Sequence, residues 1–284
     1  MITFRIHNQG GHHKKREIIV LHGGPAAAGS AAPIAQKLSQ DGFTVIEPLQ
    51  RDTDLLHPSE DPSKIFTVDQ HVRDLHELII AKCSVKPIIL GESWGAMLAL
   101  AYAARYPQIV GPLILVGCGT FSEDTRSVLR KTITDRIDQA PGLKDRFDSL
   151  ESDIEDPHTR MQQHIKLIEK VYNYAKLPEA EIDGYAEHPI KLDAVAHKHT
   201  WCDMIRLQKE GMYPDAFKAI TSPVLMIHGS HDPHPGIETY ELLKQYMPQM
   251  DYHELERCGH SPWVERYART EFFSRIRGWL ALRK

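Results

Sequence analysis

The sequence predicts an α/β protein with a mostly parallel central sheet flanked by helices. Short β-branched segments alternate with amphipathic stretches up to about residue 121, and the same alternation returns after residue 211. Strands that alternate with helices favour right-handed βαβ units and hence a parallel sheet. The chain has 284 residues, 42% of them hydrophobic, so it can bury a full core without a disulfide or a metal.

The first half contains four predicted strands and three predicted helices. Continuous apolar runs indicate buried strands, and apolar residues recurring at three- and four-residue spacing indicate helices. The predicted strands are Glu17–Leu21, Phe43–Ile46, Ile88–Leu90 and Leu113–Val116. The predicted helices are Ser30–Gln40, Val68–Ala81 and Ala96–Arg105. Residues 51–63 carry two prolines and four acidic residues, and we expect an exposed loop there.

The pattern changes between residues 122 and 211, where the chain is polar, charged and helical without a convincing strand. The helices predicted there are Arg126–Ile137, His158–Tyr174 and Leu192–Lys209. Alternation then resumes with a strand, a helix, a strand and a final helix, at Val224–Ile227, Gly236–Tyr246, Tyr252–Leu255 and Pro262–Leu282. We therefore predict a core of residues 1–121 and 212–284 that carries an inserted helical cap, residues 122–211.

Composition excludes several classes of partner. Lys and Arg number 34 and Asp and Glu 38, which gives a net charge of −4, whereas nucleic-acid binders and proteins held on anionic membranes are usually basic. The four cysteines form no C-x-x-C pair, which is typical of reduced thiols in the cytosol. The chain begins without an apolar secretory segment. We expect a cytoplasmic protein that acts on a small molecule or short peptide and binds neither nucleic acid nor a membrane.

The strongest chemical motif is Gly91-Glu92-Ser93-Trp94-Gly95. It follows an apolar strand and precedes a helix, which is the context that a G-x-S-x-G turn requires. Such a turn exposes the Ser93 hydroxyl, and it places the Trp94 N–H at a helix start, where negative charge is favoured. Ser93 is therefore the predicted nucleophile.

A serine hydroxyl is a weak nucleophile and needs a base, which in this arrangement follows an acid later in the chain. Asp232 follows the strand Val224–Ile227, and His260 follows the strand Tyr252–Leu255. Either residue alone could simply begin a helix, since each is close to a proline. Together, in the order Ser93, Asp232, His260, they predict a catalytic triad.

A turn after the first strong strand completes the predicted site. His22-Gly23-Gly24-Pro25 directly follows Glu17–Leu21. Attack on a carbonyl develops negative charge on its oxygen, which two fixed N–H donors can stabilise. The backbone N–H groups of Gly24 and Trp94 are the predicted donors of this oxyanion hole.

These motifs resemble the α/β-hydrolase superfamily. HGGP together with G-x-S-W-G is similar to the proline iminopeptidase branch of serine peptidases, and the resemblance covers essentially the whole chain. It implies an α/β-hydrolase fold, a triad of Ser93, Asp232 and His260, a helical cap over the site, and no cofactor.

Three features depart from that branch. Ala26 replaces the last glycine of HGGPG, and Leu49-Gln50-Arg51-Asp52 keeps only the middle pair of the branch's D-Q-R-G segment. The resemblance also implies cap carboxylates that bind a substrate's amino terminus, but no acidic residue of this cap matches that pair. The cap's candidates are Glu179, Glu181, Asp183, Glu187, Asp193 and Asp203.

The predicted function is cleavage of an ester or amide bond of a small substrate, with an aminopeptidase as one subset. Carbon–carbon bond hydrolysis or acyl transfer with the same triad remains open, as does a low-turnover ligand receptor on the same fold. A metal at His231, Asp232 and His234 is disfavoured, because no third well-placed ligand beside the triad acid is evident. We therefore expect no metal. No P-loop and no strand-linked G-x-G-x-x-G occurs, so we also expect no nucleotide cofactor.

Overall fold

The computed structural model describes residues 1–7, 16–55, 57, 59–184 and 187–283. Its strands are β1 (Phe4–His7), β2 (Glu17–Leu21), β3 (Ala27–Ala28), β4 (Thr44–Pro48), β5 (Ile88–Glu92), β6 (Leu113–Val116), β7 (Lys191–Leu192), β8 (Val224–Gly229) and β9 (Met250–Leu255). Its helices are α1 (Ala32–Gln40), α2 (Pro62–Ile65), α3 (Val68–Lys82), α4 (Trp94–Arg105), α5 (Glu123–Gln139), α6 (Leu143–Asp153), α7 (Pro157–Tyr172), α8 (Ala194–Lys209), α9 (Gly236–Lys244) and α10 (Arg269–Ala281).

Within those ranges, seven strands form one sheet in the order β1-β4-β2-β5-β6-β8-β9. β1 runs antiparallel to β4, and every other neighbouring pair is parallel. The predicted mostly parallel α/β sheet is therefore confirmed. Because the parallel strands share one direction, β2, β5, β8 and β9 all end at the same edge. Open parallel sheets bind ligands at this edge.

Helices cover both faces of the sheet, which explains why its central strands are continuously apolar. Alternate residues of β2 face opposite layers, Ile19 toward α3 and α4 and Ile18 toward α1 and α10. Both side chains are fully buried. The core is thus two apolar layers that hold the sheet rigidly and fix the strand ends.

The segment between β6 and β8 is helical, as expected, and contains α5, α7 and α8 close to their predicted positions. The expectation that it has no strand is wrong, because β7 pairs antiparallel with β3. Two residues are too few for alternation to reveal a strand. The division into a core and a cap stays a prediction, and residues 8–15, 185–186 and 284 lie outside the described part.

Two further predictions need correction. The single helix predicted at Pro262–Leu282 is a 3₁₀ turn at Pro262–Val264 followed by α10, with Glu265 in an extended conformation between them. The loop predicted at residues 51–63 contains a 3₁₀ turn at Thr53–Leu55 and the start of α2; residues 56 and 58 are outside the described residues. Among the helices described, none is long and apolar enough to cross a membrane.

Candidate active site

Ser93 occupies the sharp turn between β5 and α4. Its backbone angles are φ 53° and ψ −115°, a conformation that L residues rarely adopt. A Cβ on Gly95 would lie 2.3 Å from the Leu21 carbonyl oxygen, so the helix can approach the sheet this closely only with glycine there. Trp94 is the first residue of α4, and its N–H therefore has no acceptor within the helix.

The Gly23–Gly24 turn lies beside this elbow and is held to it by Glu92. The Gly23 N–H donates to Glu92 Oε1 at 2.8 Å, and the Ser30 hydroxyl donates to the same oxygen. Gly24 has φ 116°, which favours glycine. Glu92 is buried, so its carboxylate holds the turn from inside the protein.

The side-chain amide of Gln50 also joins these two segments. The Trp94 indole N–H donates to Gln50 Oε1 at 2.9 Å, and Gln50 Nε2 donates to the His22 carbonyl at 2.9 Å. All three side chains are buried. The predicted donors Gly24 and Trp94 are therefore on segments joined by two hydrogen bonds through one amide.

Asp232 follows β8 and is surrounded by three histidines. His260 Nδ1 lies 2.7 Å from Oδ2, while the N–H and Nδ1 of His234 lie 2.9 and 2.8 Å from Oδ1. His228 Nε2 is 3.1 Å from Oδ2. Burial alone would raise the pKa of Asp232, but the attraction of His260, His228 and His234 keeps it well below its usual range.

His260 follows β9 and has its ring held on two sides. Its ring stacks on that of His234, with centroids 4.6 Å apart and planes 17° from parallel, and it meets the Tyr172 ring edge-on at 5.1 Å. Burial disfavours the imidazolium, yet the Asp232 carboxylate outweighs it and raises the pKa of His260. His260 therefore gains a proton more readily than a free histidine.

The loop that carries His260 is fastened to the segment that follows α7. The His260 N–H donates to the Tyr172 carbonyl at 2.8 Å. The fully buried carboxylate of Glu265 accepts the N–H groups of Gly259, Tyr174 and Ala175 at 2.9, 2.7 and 2.6 Å. These bonds explain why the chain breaks its helix at Glu265.

A cavity of about 430 Å³ opens where these parts meet. Gly24, Ser93, Trp94 and His260 all line it, and Asp232 reaches it through His260. Most of its other lining side chains are apolar and include Met97, Leu129, Ile165, Ile168, Trp201 and Val264. The volume is in the range of small-molecule sites.

The acidic residues named as candidates from the sequence lie outside the cavity. None of the six candidates named from the sequence lines the cavity as far as the chain is described. Asp193 accepts from Thr53 and caps α8, and Asp203 accepts from the Val68 N–H. The cavity's carboxylates are instead Glu92, engaged as above, and Glu169, which forms an ion pair with Lys176 at 2.9 Å.

Three side chains of the site lie close enough together to be candidate metal ligands. Asp232, His234 and His260 each offer one atom, all within 4.8 Å of one another. However, the ring nitrogens that face Asp232 are at hydrogen-bond distance from its oxygens, so protons already account for the arrangement. The expectations of no metal and no cofactor stay predictions.

Sequence reasoning missed the contributions of His234, Gln50 and Glu265. His234 stands two residues after Asp232, and from the sequence alone it is a candidate only for a metal ligand. Gln50 belongs to the Gln-Arg pair that the chain shares with the iminopeptidase branch. That resemblance marks the residue but does not indicate what its side chain contacts. Glu265 has no recognisable motif, because two of its three partners are about 90 residues away along the chain.

A family model described as alpha/beta hydrolase fold matches residues 17–267. Among curated proteins, the chain is 30% identical over 138 residues to a proline iminopeptidase of Saccharolobus solfataricus, an alignment covering 48% of this chain and 44% of that relative. The chain thus spans less than half the length of this relative. A proline iminopeptidase of Lactobacillus acidophilus is 21% identical, covering 94% and 90%, and Lipase 1 of Psychrobacter immobilis is 24% identical, covering 93% and 77%.

Solved structures share the architecture at lower identity. The crystal structure of VinJ superposes with a TM-score of 0.71 at 18% identity and covers 98% of this chain and 94% of that one. An esterase of Exiguobacterium antarcticum gives a TM-score of 0.64 at 17% identity, with the same coverage. At these identities the likeness is one of fold.

Proposed function

We propose that this chain, which belongs to the α/β-hydrolase fold family, is a serine hydrolase that cleaves an ester or amide bond of a small substrate through Ser93, Asp232 and His260. Peptidase, lipase and esterase relatives support a hydrolase. The observation that carries the proposal is the 2.7 Å bond from His260 to buried Asp232, on the wall of the cavity that Ser93 also lines.

We infer a two-step acyl-transfer mechanism for these residues. His260 takes the Ser93 proton at Nε2 while its Nδ1–H donates to Asp232, which fixes the tautomer and stabilises the imidazolium. Ser93 attacks the carbonyl carbon, and the Gly24 and Trp94 N–H groups stabilise the oxyanion. His260 then protonates the leaving group, and a water deprotonated by His260 releases the acyl group from Ser93.

The cavity supports an apolar acyl group and favours an ester over an aminopeptidase substrate. An α-ammonium group requires an available carboxylate. Glu169 is already paired with Lys176, and Glu92 holds the Gly23 turn through Oε1, which leaves one carboxylate oxygen, Glu92 Oε2, for an ammonium group. An apolar acyl chain needs only the apolar side chains that form most of the wall.

A fluorophosphonate probe and an ester panel test the proposal together. We expect the probe to label the wild-type protein at Ser93, and p-nitrophenyl butyrate to be hydrolysed. Ser93→Ala should lose both, while the matched control Ser261→Ala, another cavity-lining serine, should keep both. Equal activity in wild type and Ser93→Ala would refute the assignment.

An aminopeptidase is the second candidate, favoured by the curated relatives named proline iminopeptidase. Prolyl- and alanyl-nitroanilides belong in the same panel, and fast Ser93-dependent cleavage of either would establish it. Labelling without ester or anilide turnover would indicate carbon–carbon bond hydrolysis or acyl transfer. Absence of labelling would indicate a receptor. A cytoplasmic location and a small-molecule or short-peptide substrate remain part of the proposal.

A further inference from the structure

Two histidines, His260 and His234, share one carboxylate in this site. Oδ2 of Asp232 faces His260 Nδ1, while Oδ1 faces both the N–H and Nδ1 of His234. The two rings are stacked nearly parallel, 4.6 Å between centroids, and both line the cavity. His234 is therefore attached to the same acid as the proposed base but through the opposite oxygen.

Hydrogen bonding fixes the protons in this cluster. Asp232 is ionised, because its pKa is held low, and an ionised carboxylate only accepts. Nδ1 of His234 and Nδ1 of His260 must then both be donors. His228 Nε2 is 3.1 Å from both Asp232 Oδ2 and the His234 carbonyl, so it also carries its proton.

The two stacked rings have opposite tendencies to bind a second proton. Burial lowers the pKa of His234 more than Asp232 raises it, whereas Asp232 dominates for His260 and raises the pKa. When their surroundings shift the pKa values of two neighbouring groups in opposite directions, the two groups take different roles in proton transfer. His260 is therefore the ring that becomes protonated, and His234 remains neutral beside it.

We propose that His234 is a positioning residue, which holds Oδ1 of Asp232 with two donors so that Oδ2 remains directed at His260. The imidazole adds a second donor to Oδ1 beside the backbone N–H of the same residue, and this second bond further restrains rotation of the carboxylate about its terminal bond. The role in turnover rests on the proposed function, but the effect on the proton affinity of His260 does not.

The groups that face His234 are few in the described part of the chain. Asp232, His228 and His260 surround its imidazole, and the Tyr172 ring meets it edge-on at 5.6 Å from the end of α7. Arg136 of α5 approaches this cluster and donates to the His231 carbonyl at 2.8 Å. Asp232 is the negative charge among these residues, so His234 has one anionic partner.

Two substitutions separate the hydrogen bond from the ring. His234→Asn keeps a side-chain N–H donor near the position of Nδ1 and removes the ring, while His234→Phe keeps a stacking ring and leaves Oδ1 with the backbone N–H alone. His231→Asn is the matched control, since the His231 side chain packs on Tyr174 and not on Asp232. If His234→Phe does not fold, His234→Leu replaces it as the variant without a donor.

The readouts are the His260 titration, followed by NMR of ¹³C-labelled histidine, and kcat and KM for p-nitrophenyl butyrate across pH. We expect His234→Phe to lower the pKa of His260 by about half a unit or more, and to reduce kcat roughly 10-fold with KM unchanged. His234→Asn should restore both toward wild type, and His231→Asn should change neither.

Equal effects of His234→Asn and His234→Phe, or a wild-type His260 titration in His234→Phe, would overturn the proposal. Ester turnover tests the proposed function, whereas the titration of His260 tests the role of His234. If the wild-type protein hydrolyses no ester, the proposed function fails, and the titration of His260 by itself still decides the role of His234.

Discussion

Replacing Gln50 with leucine would remove the amide that joins the two segments carrying the proposed oxyanion donors. Leucine has a similar volume, so the substitution deletes two hydrogen bonds without opening a large cavity. The Trp94 indole N–H and the His22 carbonyl would both lose their partner inside the core. Gln50 also has φ 48°, which leucine adopts at about the same cost, so backbone strain does not change.

The magnitude follows from the burial of the two abandoned groups. Each buried donor or acceptor left without a partner costs about 1–2 kcal/mol, so the pair costs about 2–4 kcal/mol of the free energy of unfolding. For a chain of this size that lowers Tm by about 3–7 °C. Because Gly24 and Trp94 are no longer held at a fixed spacing, kcat should fall about 10-fold while KM stays the same.

Thermal unfolding and ester kinetics measure the two effects. The matched control is Gln249→Leu, since Gln249 also donates to two carbonyls, those of Ile220 and Ser222, but is exposed so that water can replace it. We expect its Tm and kcat to remain at wild-type values. A Gln50→Leu protein with wild-type Tm and kcat would show that the bridge contributes nothing to the elbow.

Two further predictions concern the acid and the base. Asp232→Asn should reduce kcat about 10³- to 10⁴-fold with little change in KM, because an amide no longer stabilises the imidazolium of His260; a loss below tenfold in steady-state kinetics would contradict this role. The acid limb of kcat/KM should have its midpoint above 6.5, since catalysis needs neutral His260 and Asp232 raises the pKa of His260. A pH–rate profile with its midpoint at or below 6.5 would be inconsistent with that contact.

The sequence allows the sheet and the positions of the motifs to be predicted because their signals are local. Buried parallel strands are continuous apolar runs, and the crowding around Gly95 makes the elbow recognisable from its glycines. The helix predicted from Pro262 onward fails for the opposite reason. Its helical pattern is genuine, but the buried Glu265 carboxylate accepts three N–H groups, two of them from about 90 residues away along the chain, and that outweighs a local preference.

The shape of the cavity has no local signal in the sequence. The acidic residues of the insertion could be counted, but which of them reach the cavity depends on how α7 and α8 pack. Asp193 is taken up in capping α8, and Glu169, not singled out from the sequence, is the one on the cavity wall. A preference for apolar acyl groups could therefore be argued only from the three-dimensional arrangement.

The attachment of the His260 loop to residues 172–177 limits how this enzyme can be recombined. A graft that exchanged the whole insertion would replace the backbone that accepts the His260 N–H and supplies two of the three N–H donors of Glu265. If the new backbone followed a different path, the fully buried Glu265 carboxylate would lose these two donors. Junctions between parent proteins must fall outside this stretch. The cavity-lining segment and the loop that carries the proposed base His260 are thus coupled, and we expect new specificities to arise by substitutions within the insertion rather than by its replacement.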